Sequence, residues 1–263
     1  MKKIRFLTKY LGEDGKEIDN HHIVLESEAL TTSVLNGDSP ETIWLSRFPR
    51  TIVLLPSASS NFIDLDYIKE INYPIVRDAI FPTNSTAIVI VGTGFILNNI
   101  IKDTTKKILH KYTVDFFKHI TKDLVDLVEE KNDLVVSGTE RKMVGIATME
   151  KGDYCNSIAF FSESVPNVNL ERIFKMPPSK FDDKKIKTVS ERITSFEKET
   201  GKLIDSDLLK DEAIKFFTNL GFELEFADDF NKNEYLLIDK LKEKHLSEEW
   251  IITGYAPPKP DFI

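Results

Sequence analysis

The stretch Asn132-Asp133-Leu134-Val135-Val136-Ser137-Gly138-Thr139-Glu140-Arg141-Lys142-Met143-Val144-Gly145-Ile146-Ala147 decides the fold of this chain. Two apolar runs of strand length, Leu134-Val135-Val136 and Met143-Val144-Gly145-Ile146-Ala147, flank a Ser137-Gly138-Thr139 turn signal. Their β-branched side chains suit a pleated, half-buried surface, so the spacing predicts a hairpin. A third run, Ile158-Ala159-Phe160-Phe161, follows closely and extends the hairpin into an antiparallel meander. Polar residues open both arms: Asn132 and Asp133 the first, Lys142 the second. Taken singly, a lysine at a hairpin edge is a solvated charge that discourages aggregation, and Asn-Asp before a strand is turn chemistry.

Upstream lies a helical period over residues 105–130, with Leu109, Tyr112, Phe116, Ile120, Leu124 and Leu127 on one face. Before it, Ala87-Ile88-Val89-Ile90-Val91 is a continuous apolar run of the kind buried on both faces, and Gly92-Thr93-Gly94 is expected to break it as a turn. Trp44-Leu45 and Thr51-Ile52-Val53-Leu54-Leu55 read as two short strands, the second stopped by Pro56. An opening helix is expected over residues 23–35, ended by Asn36-Gly37. Downstream, Leu208, Leu209, Ala213, Phe216, Phe217 and Leu220 form an apolar stripe closed by Gly221, and a further helix is expected over residues 234–244. Pro257-Pro258-Lys259-Pro260 cannot be helical. The whole predicts an α+β fold with a mixed or antiparallel sheet and a short helical region after it.

Composition narrows the function. The 263 residues carry 35 Lys plus Arg against 43 Asp plus Glu, a formal charge of -8. This argues against a dedicated nucleic-acid binder, which needs clustered cations to meet phosphates. Cys155 is the only cysteine, so neither an internal disulfide nor a cysteine-based zinc site can form, and a reducing compartment is compatible. The basic start Met1-Lys2-Lys3 is interrupted by Thr8, Lys9 and Glu13-Asp14 before an apolar region can develop, so no export signal is read. No apolar stretch approaches the roughly 20 residues that span a bilayer. The expectation is a cytoplasmic protein without membrane or nucleic-acid partners. His21-His22 lack companions at ligand spacing and read as surface residues at a helix start, and Leu97 stands where a dinucleotide fingerprint would need its third glycine.

The segment 132–147 resembles the lysine motif shared by lipoate-protein ligases and biotin-protein ligases, in which Asn-Asp opens one strand and Lys-x-x-Gly-x-Ala the next. Lys187-Thr188-Val189-Ser190-Glu191-Arg192-Ile193-Thr194-Ser195-Phe196 is similar to the Lys-Ser-Val-x-x-Arg-Val-Thr segment that separates lipoate ligases from biotin ligases. Leu65-Asp66-Tyr67, Pro74-Ile75-Val76-Arg77 and Lys244-His245-Leu246-Ser247-Glu248-Glu249-Trp250 match further family elements in order and spacing. The resemblance implies a catalytic-type domain over residues 1–168 and a small accessory domain over residues 169–263. It also implies ATP and magnesium as cofactors, lipoate or a related fatty acid as the small-molecule carboxylate, and a lipoyl carrier domain as acyl acceptor.

Activating a carboxylate with ATP crowds negative oxygens together, so a fixed ammonium and a hydrated cation must offset the charge. By resemblance Lys142 would be the catalytic ammonium, Asp133 would hold magnesium, and Arg77, Asn132 and Gly145 would contact the nucleotide or acyl-adenylate. Asn84, Ser85, Thr86 and Ala87 occupy the family's glycine-loop positions and are expected at the same ligand. Lys175, Lys180, Lys184, Lys185 and Lys187 form a basic stretch where an acidic carrier domain could dock.

The departures are concentrated in the pocket. The family's Ser-Gly-Gly-Gly loop has become Asn84-Ser85-Thr86, its His-Asp pair Ile90-Val91, its Gly-Arg-x-Gln-Asn loop Pro56-Ser57-Ala58-Ser59-Ser60, and its His-His-Gly-Thr Tyr154-Cys155-Asn156-Ser157. Two alternatives to an active ligase therefore stay open. One is a noncatalytic pseudo-ligase that binds a partner or ligand. The other is an ATP-independent acyltransferase that uses Cys155 as its nucleophile, against which stands the ordinary role of a lone cysteine as a buried, inert thiol.

Overall fold

The computed structural model describes residues 2–10, 19–56, 60–80, 88–175 and 186–254. Chain order is β1 (Lys2–Leu7), α1 (His22–Leu35), β2 (Thr42–Leu54), α2 (Leu65–Glu70), β3 (Ile75–Arg77), β4 (Ile88–Lys102), α3 (Lys106–Thr121), β5 (Leu127–Glu130), β6 (Asp133–Val136), β7 (Lys142–Lys151) and β8 (Tyr154–Ser164). Then follow α4 (Leu170–Ile173), α5 (Val189–Arg192), α6 (Phe196–Thr200), α7 (Ser206–Asn219), β9 (Phe222–Ala227), α8 (Lys232–Leu246) and α9 (Glu248–Thr253).

The strands make one mixed sheet in the order β5-β6-β7-β8-β4-β2-β1-β9, with β3 pairing off that path to β2. Pairing is antiparallel from β5 through β4 to β2, and parallel where β1 meets β2 and β9 and where β3 meets β2. The expected meander is present as β6-β7-β8.

Alternation along the central strands explains why they read as unbroken apolar runs. Ile43, Leu45, Phe95, Leu97, Ala159 and Phe161 face a core that includes Leu109, Phe116 and Phe117 of α3 and Phe217 of α7. Trp44, Phe48, Ile96, Ile158 and Phe160 face the opposite core, with Leu25, Ala29 and Leu30 of α1 and Ile238 and Leu241 of α8. Helices thus cover both faces, and each side chain the size of Leu or Phe contributes about 1.5–3 kcal/mol by leaving water.

The C-terminal stretch is sewn into this frame. Strand β9, which the helical expectation for this region omits, pairs with β1 in register from Lys2↔Phe222 to Leu7↔Ala227. Arg5 on β1 donates through Nη1 to Glu234 Oε2 at 3.0 Å and through Nε to Thr42 Oγ1 at 3.0 Å, with Glu234 wholly buried. Glu234 also closes a capping box with Asn231 at the start of α8. Arg47 of β2 pairs with buried Glu163 of β8, whose other oxygen accepts from Ile204 N at 3.1 Å, fixing the approach to α7.

Three sequence expectations are corrected. The helical period over residues 105–130 is two elements, because α3 ends at Thr121 and Leu127–Glu130 is the edge strand β5, paired with β6. Leu127 keeps the period but is buried by the sheet, while Leu124, in the turn between, is half exposed at 50%. Gly92-Thr93-Gly94 does not break the strand but lies inside β4. A Cβ on Gly92 would stand 2.1 Å from the Ser164 carbonyl oxygen and one on Gly94 1.9 Å from that of Phe161, so the glycines permit close approach of β8. Finally, Trp44-Leu45 and the run from Thr51 belong to one strand, β2, with a register irregularity between Phe48 and Thr51 around Pro49.

Candidate active site

The hairpin turn between β5 and β6 consists of Lys131 and Asn132, with Glu130 paired to Asp133 across it and Lys131 at φ 60°. Asn132 is exposed at the tip, and its carbonyl accepts from Ile146 N at 2.8 Å. Next to it Asp133 opens β6, opposite Gly145 of β7. Lys142 opens β7, and a register shift between Leu134 and Val135 sets it beside Val135. The backbone thus brings Asn132, Asp133, Lys142 and Gly145 together, as the sequence motif implies.

The side chains form a charged cluster. Lys142 Nζ stands 2.8 Å from Asp133 Oδ1, and the two side chains are 21% and 26% exposed. Arg192, at the end of α5, reaches the same carboxylate, with Nη2 3.0 Å from Asp133 Oδ2. Its other terminal nitrogen, Nη1, lies 3.2 Å from Glu130 Oε2 and donates to the Glu140 carbonyl. The main chain supports the same contact: Ile193 bridges to Lys142 in parallel, and Thr194 N donates to the Lys142 carbonyl at 3.0 Å. Arg141, the neighbour of Lys142, pairs with Glu199 of α6 at 2.8 Å.

Glu130 and Arg192 were not among the site residues expected from sequence. Glu130 falls inside the helical period and so carries no site signal in the sequence, whereas Arg192 stands in a segment that resembles a family motif without a role for it.

Magnesium was expected at Asp133. Both carboxylate oxygens are engaged by cations at 2.8 and 3.0 Å, and an ion on either would stand against an ammonium or a guanidinium. In this arrangement the carboxylate does not fit a divalent cation. Among the described residues no group of three His, Cys, Asp or Glu is placed to hold a metal ion.

Arg77 lies apart from this cluster. It ends β3, is 1% exposed, and among the described residues donates to the backbone carbonyls of Ile251 at 2.9 Å, Leu55 at 2.8 Å, Pro56 at 3.1 Å and Ile252 at 3.0 Å. Burial lowers its pKa to about 10. The guanidinium therefore ties the C-terminal end of α9 to the ends of β2 and β3. Asn84, Ser85, Thr86 and Ala87 lie outside the described residues, as do Ser57, Ala58 and Ser59, Lys180, Lys184 and Lys185, and the proline-rich tail.

Cys155 on β8 is 2% exposed. Its Sγ donates to the Thr104 carbonyl at 3.1 Å, and burial, then the charge of Glu150, pushes the thiol above its ordinary range. This is the environment of an inert thiol. His22 pairs with Glu26 at 3.2 Å and His21 with Asp19 at 3.0 Å, both at the head of α1 as expected.

The architecture is the fold of solved lipoate-protein ligase structures. One similar solved structure is a chain from a bi-partite lipoate protein ligase and its E2 lipoyl domain from Thermoplasma acidophilum. It matches with a TM-score of 0.74 and 19% identity over 100% of both chains. Lipoate-protein ligase A bound with ATP matches with a TM-score of 0.69 and 16% identity, covering 97% of this chain and 99% of that one. The P. falciparum LipL1 structure in complex with lipoate matches at 0.66 and 14% identity, over 98% of this chain and 76% of that one. No family model matches the sequence, and no curated protein does. Among the described residues no helix is long and apolar enough to cross a membrane.

Proposed function

We propose that this chain is a divergent member of the lipoate-protein ligase family that activates lipoate or a related fatty acid with ATP and passes the acyl group to a lysine of a lipoyl carrier domain. The observation that carries the proposal is Lys142: an ammonium fixed on the first residue of β7, on the motif hairpin, in a fold shared along its whole length with a lipoate protein ligase chain. A carboxylate oxygen of the acid attacks the α-phosphorus of ATP, pyrophosphate leaves, and an acyl-adenylate forms. The carrier's neutral lysine amine then attacks the acyl carbonyl, and AMP leaves as the amide forms and a proton is lost. Lys142 supplies positive charge to the oxygens on which negative charge accumulates in the first step. Gly145 and Asn132, and by resemblance residues 84–87, are proposed to border the nucleotide and acyl group.

The ATP and the lipoate in the similar structures, and the E2 lipoyl domain that accompanies the T. acidophilum ligase, support this choice of substrates and acceptor. Mixing the protein with ATP, lipoate and a lipoyl domain should add one lipoyl group to the domain, read by mass. An unchanged carrier mass across a series of acyl donors removes the proposal.

A second reading, the noncatalytic pseudo-ligase, is favoured by Arg77, whose guanidinium is committed to backbone carbonyls, and by the loss of the glycines at 84–86. Calorimetry separates the two: an active ligase releases or absorbs heat on binding ATP and a lipoyl-adenylate analogue, whereas a filled pocket gives none with either.

A further inference from the structure

We infer that Arg192 is a positioning residue of the acyl-activation site, and that Asp133 serves there as the counter-ion shared by Arg192 and Lys142 rather than as a metal ligand. The inference rests on the acyl-adenylation proposal above and assigns its charges.

Asp133 has one negative charge and two oxygens, and each oxygen carries a different cation: Lys142 Nζ on Oδ1 at 2.8 Å, Arg192 Nη2 on Oδ2 at 3.0 Å. The planar fork of a guanidinium can hold separate acceptors in fixed directions, which an ammonium cannot. Arg192 uses that fork to clamp the last residue of β5, the first of β6 and the carbonyl of Glu140 just before β7. Its own backbone is anchored alongside: Thr188 caps α5 by accepting from Glu191 N, and Thr194 N bonds the Lys142 carbonyl. Side chain and main chain of residues 192–194 therefore fix Lys142 from two directions.

The shared carboxylate has a mechanical consequence. For the Lys142 ammonium to turn to an anionic substrate it must loosen its hold on Asp133, and a half-buried carboxylate left bare is costly. Arg192 remains on Oδ2 when Lys142 moves, so Asp133 keeps a partner. Without Arg192, Lys142 is the only cation on Asp133 among the described residues and is held there against the substrate. A magnesium ion on Asp133 would instead have to displace both cations from a carboxylate already neutralised.

The test uses the full chain and measures ATP affinity by calorimetry across magnesium concentrations, with acyl transfer and thermal midpoint alongside. Arg192→Gln should weaken ATP binding about tenfold and raise KM for ATP by a similar factor. Adding Asp133→Asn should release Lys142 and bring affinity back to within about threefold of the parent. Arg192→Lys, which keeps the charge and loses the fork, should fall between. Asp133→Asn alone should leave the magnesium concentration for half-maximal ATP binding within about twofold of the parent. A rise of about tenfold or more in that concentration would show Asp133 to be a metal ligand and overturn the inference. So would an Arg192→Gln protein whose midpoint falls while its ATP affinity holds, since that marks a merely structural arginine. A parent protein that binds ATP with magnesium but never modifies a carrier defeats the acyl-transfer proposal alone, because the affinity pattern of the variants still decides the role of Arg192.

Discussion

The guanidinium of Arg77 donates to the carbonyl of Ile251 at 2.9 Å, joining residues 174 positions apart in the chain. Ile251 and Ile252 lie in the last turn of α9, where carbonyls lack partners within the helix, so a buried cation there meets both the orphaned oxygens and the negative end of the helix dipole.

Arg77→Leu should therefore destabilise the fold by about 3 kcal/mol, because two buried and two part-buried carbonyls lose a charged donor together. Gly254→Ala should act at the same seam. Gly254 caps α9 at φ 69°, and a Cβ there would stand 2.8 Å from the Pro56 carbonyl oxygen. A cost of about 1–2 kcal/mol is expected. Chemical unfolding of both variants measures these losses, and midpoints equal to the parent's would refute the seam.

Lys142→Ala should separate stability from chemistry. A pair about a quarter exposed on each side contributes about 1 kcal/mol or less to folding, so the thermal midpoint should move little. Loss of an ammonium that offsets developing charge should slow acyl transfer by about 10²–10³-fold. Single-turnover kinetics with a lipoyl domain reads this directly, and full activity in the alanine variant would exclude Lys142 from the reaction.

Cys155→Ser should leave acyl transfer unchanged, and the native thiol should react slowly with an alkylating reagent until the protein is unfolded. Burial and the nearby Glu150 disfavour its thiolate, and the sulfur is spent on the Thr104 carbonyl. Carrier modification abolished by the serine variant would restore the thioester alternative.

Acid should destabilise the protein through Glu28 and His245. His245 is 1% exposed and donates from Nε2 to Glu28 Oε2 at 2.6 Å, and burial lowers its pKa although Glu28 pulls it upward. Burial pushes Glu28 up, but the His245 hydrogen bond and the Lys244 charge leave its carboxyl below the ordinary range. Both groups bind protons less readily folded than unfolded. Their stabilisation is complete above the unfolded values, about 6.5 for His and 4.3 for Glu, and is lost as pH falls through the lower folded values. The thermal midpoint should thus drop as pH is lowered from about 6.5, and His245→Gln should flatten the upper part of that slope. A midpoint that rises on acidification, or an equally steep variant, would contradict the assignment.

What the sequence made legible was whatever rested on local chemistry. The hairpin strands, the α1 terminator Gly37 at φ 80° and the helices α7 and α8 follow from period and punctuation within short windows. Errors arose where one signal had two physical causes. Leu127 continued a helical period by coincidence although a turn lay between, and Gly92 and Gly94 carried the mark of a turn when their purpose was to let β8 approach.

Strand β9 does alternate, Phe222-Glu223-Leu224-Glu225-Phe226, but its charges and its place between two helices masked the period. In the candidate site, Asp133 and Lys142 were legible because eight residues of hairpin separate them. Arg192 arrives from a different part of the chain, and no spacing rule reports that its fork closes on Asp133.

The parallel match of β1 with β9 joins Lys2–Leu7 to Phe222–Ala227. Made on a ribosome, β1 emerges long before this neighbour exists and must wait, one flank bare, until Phe222–Ala227 has been synthesised. Completion of the sheet is thereby postponed until β9 has been made, and the nascent chain needs protection from mispairing at the flank that β9 will eventually occupy.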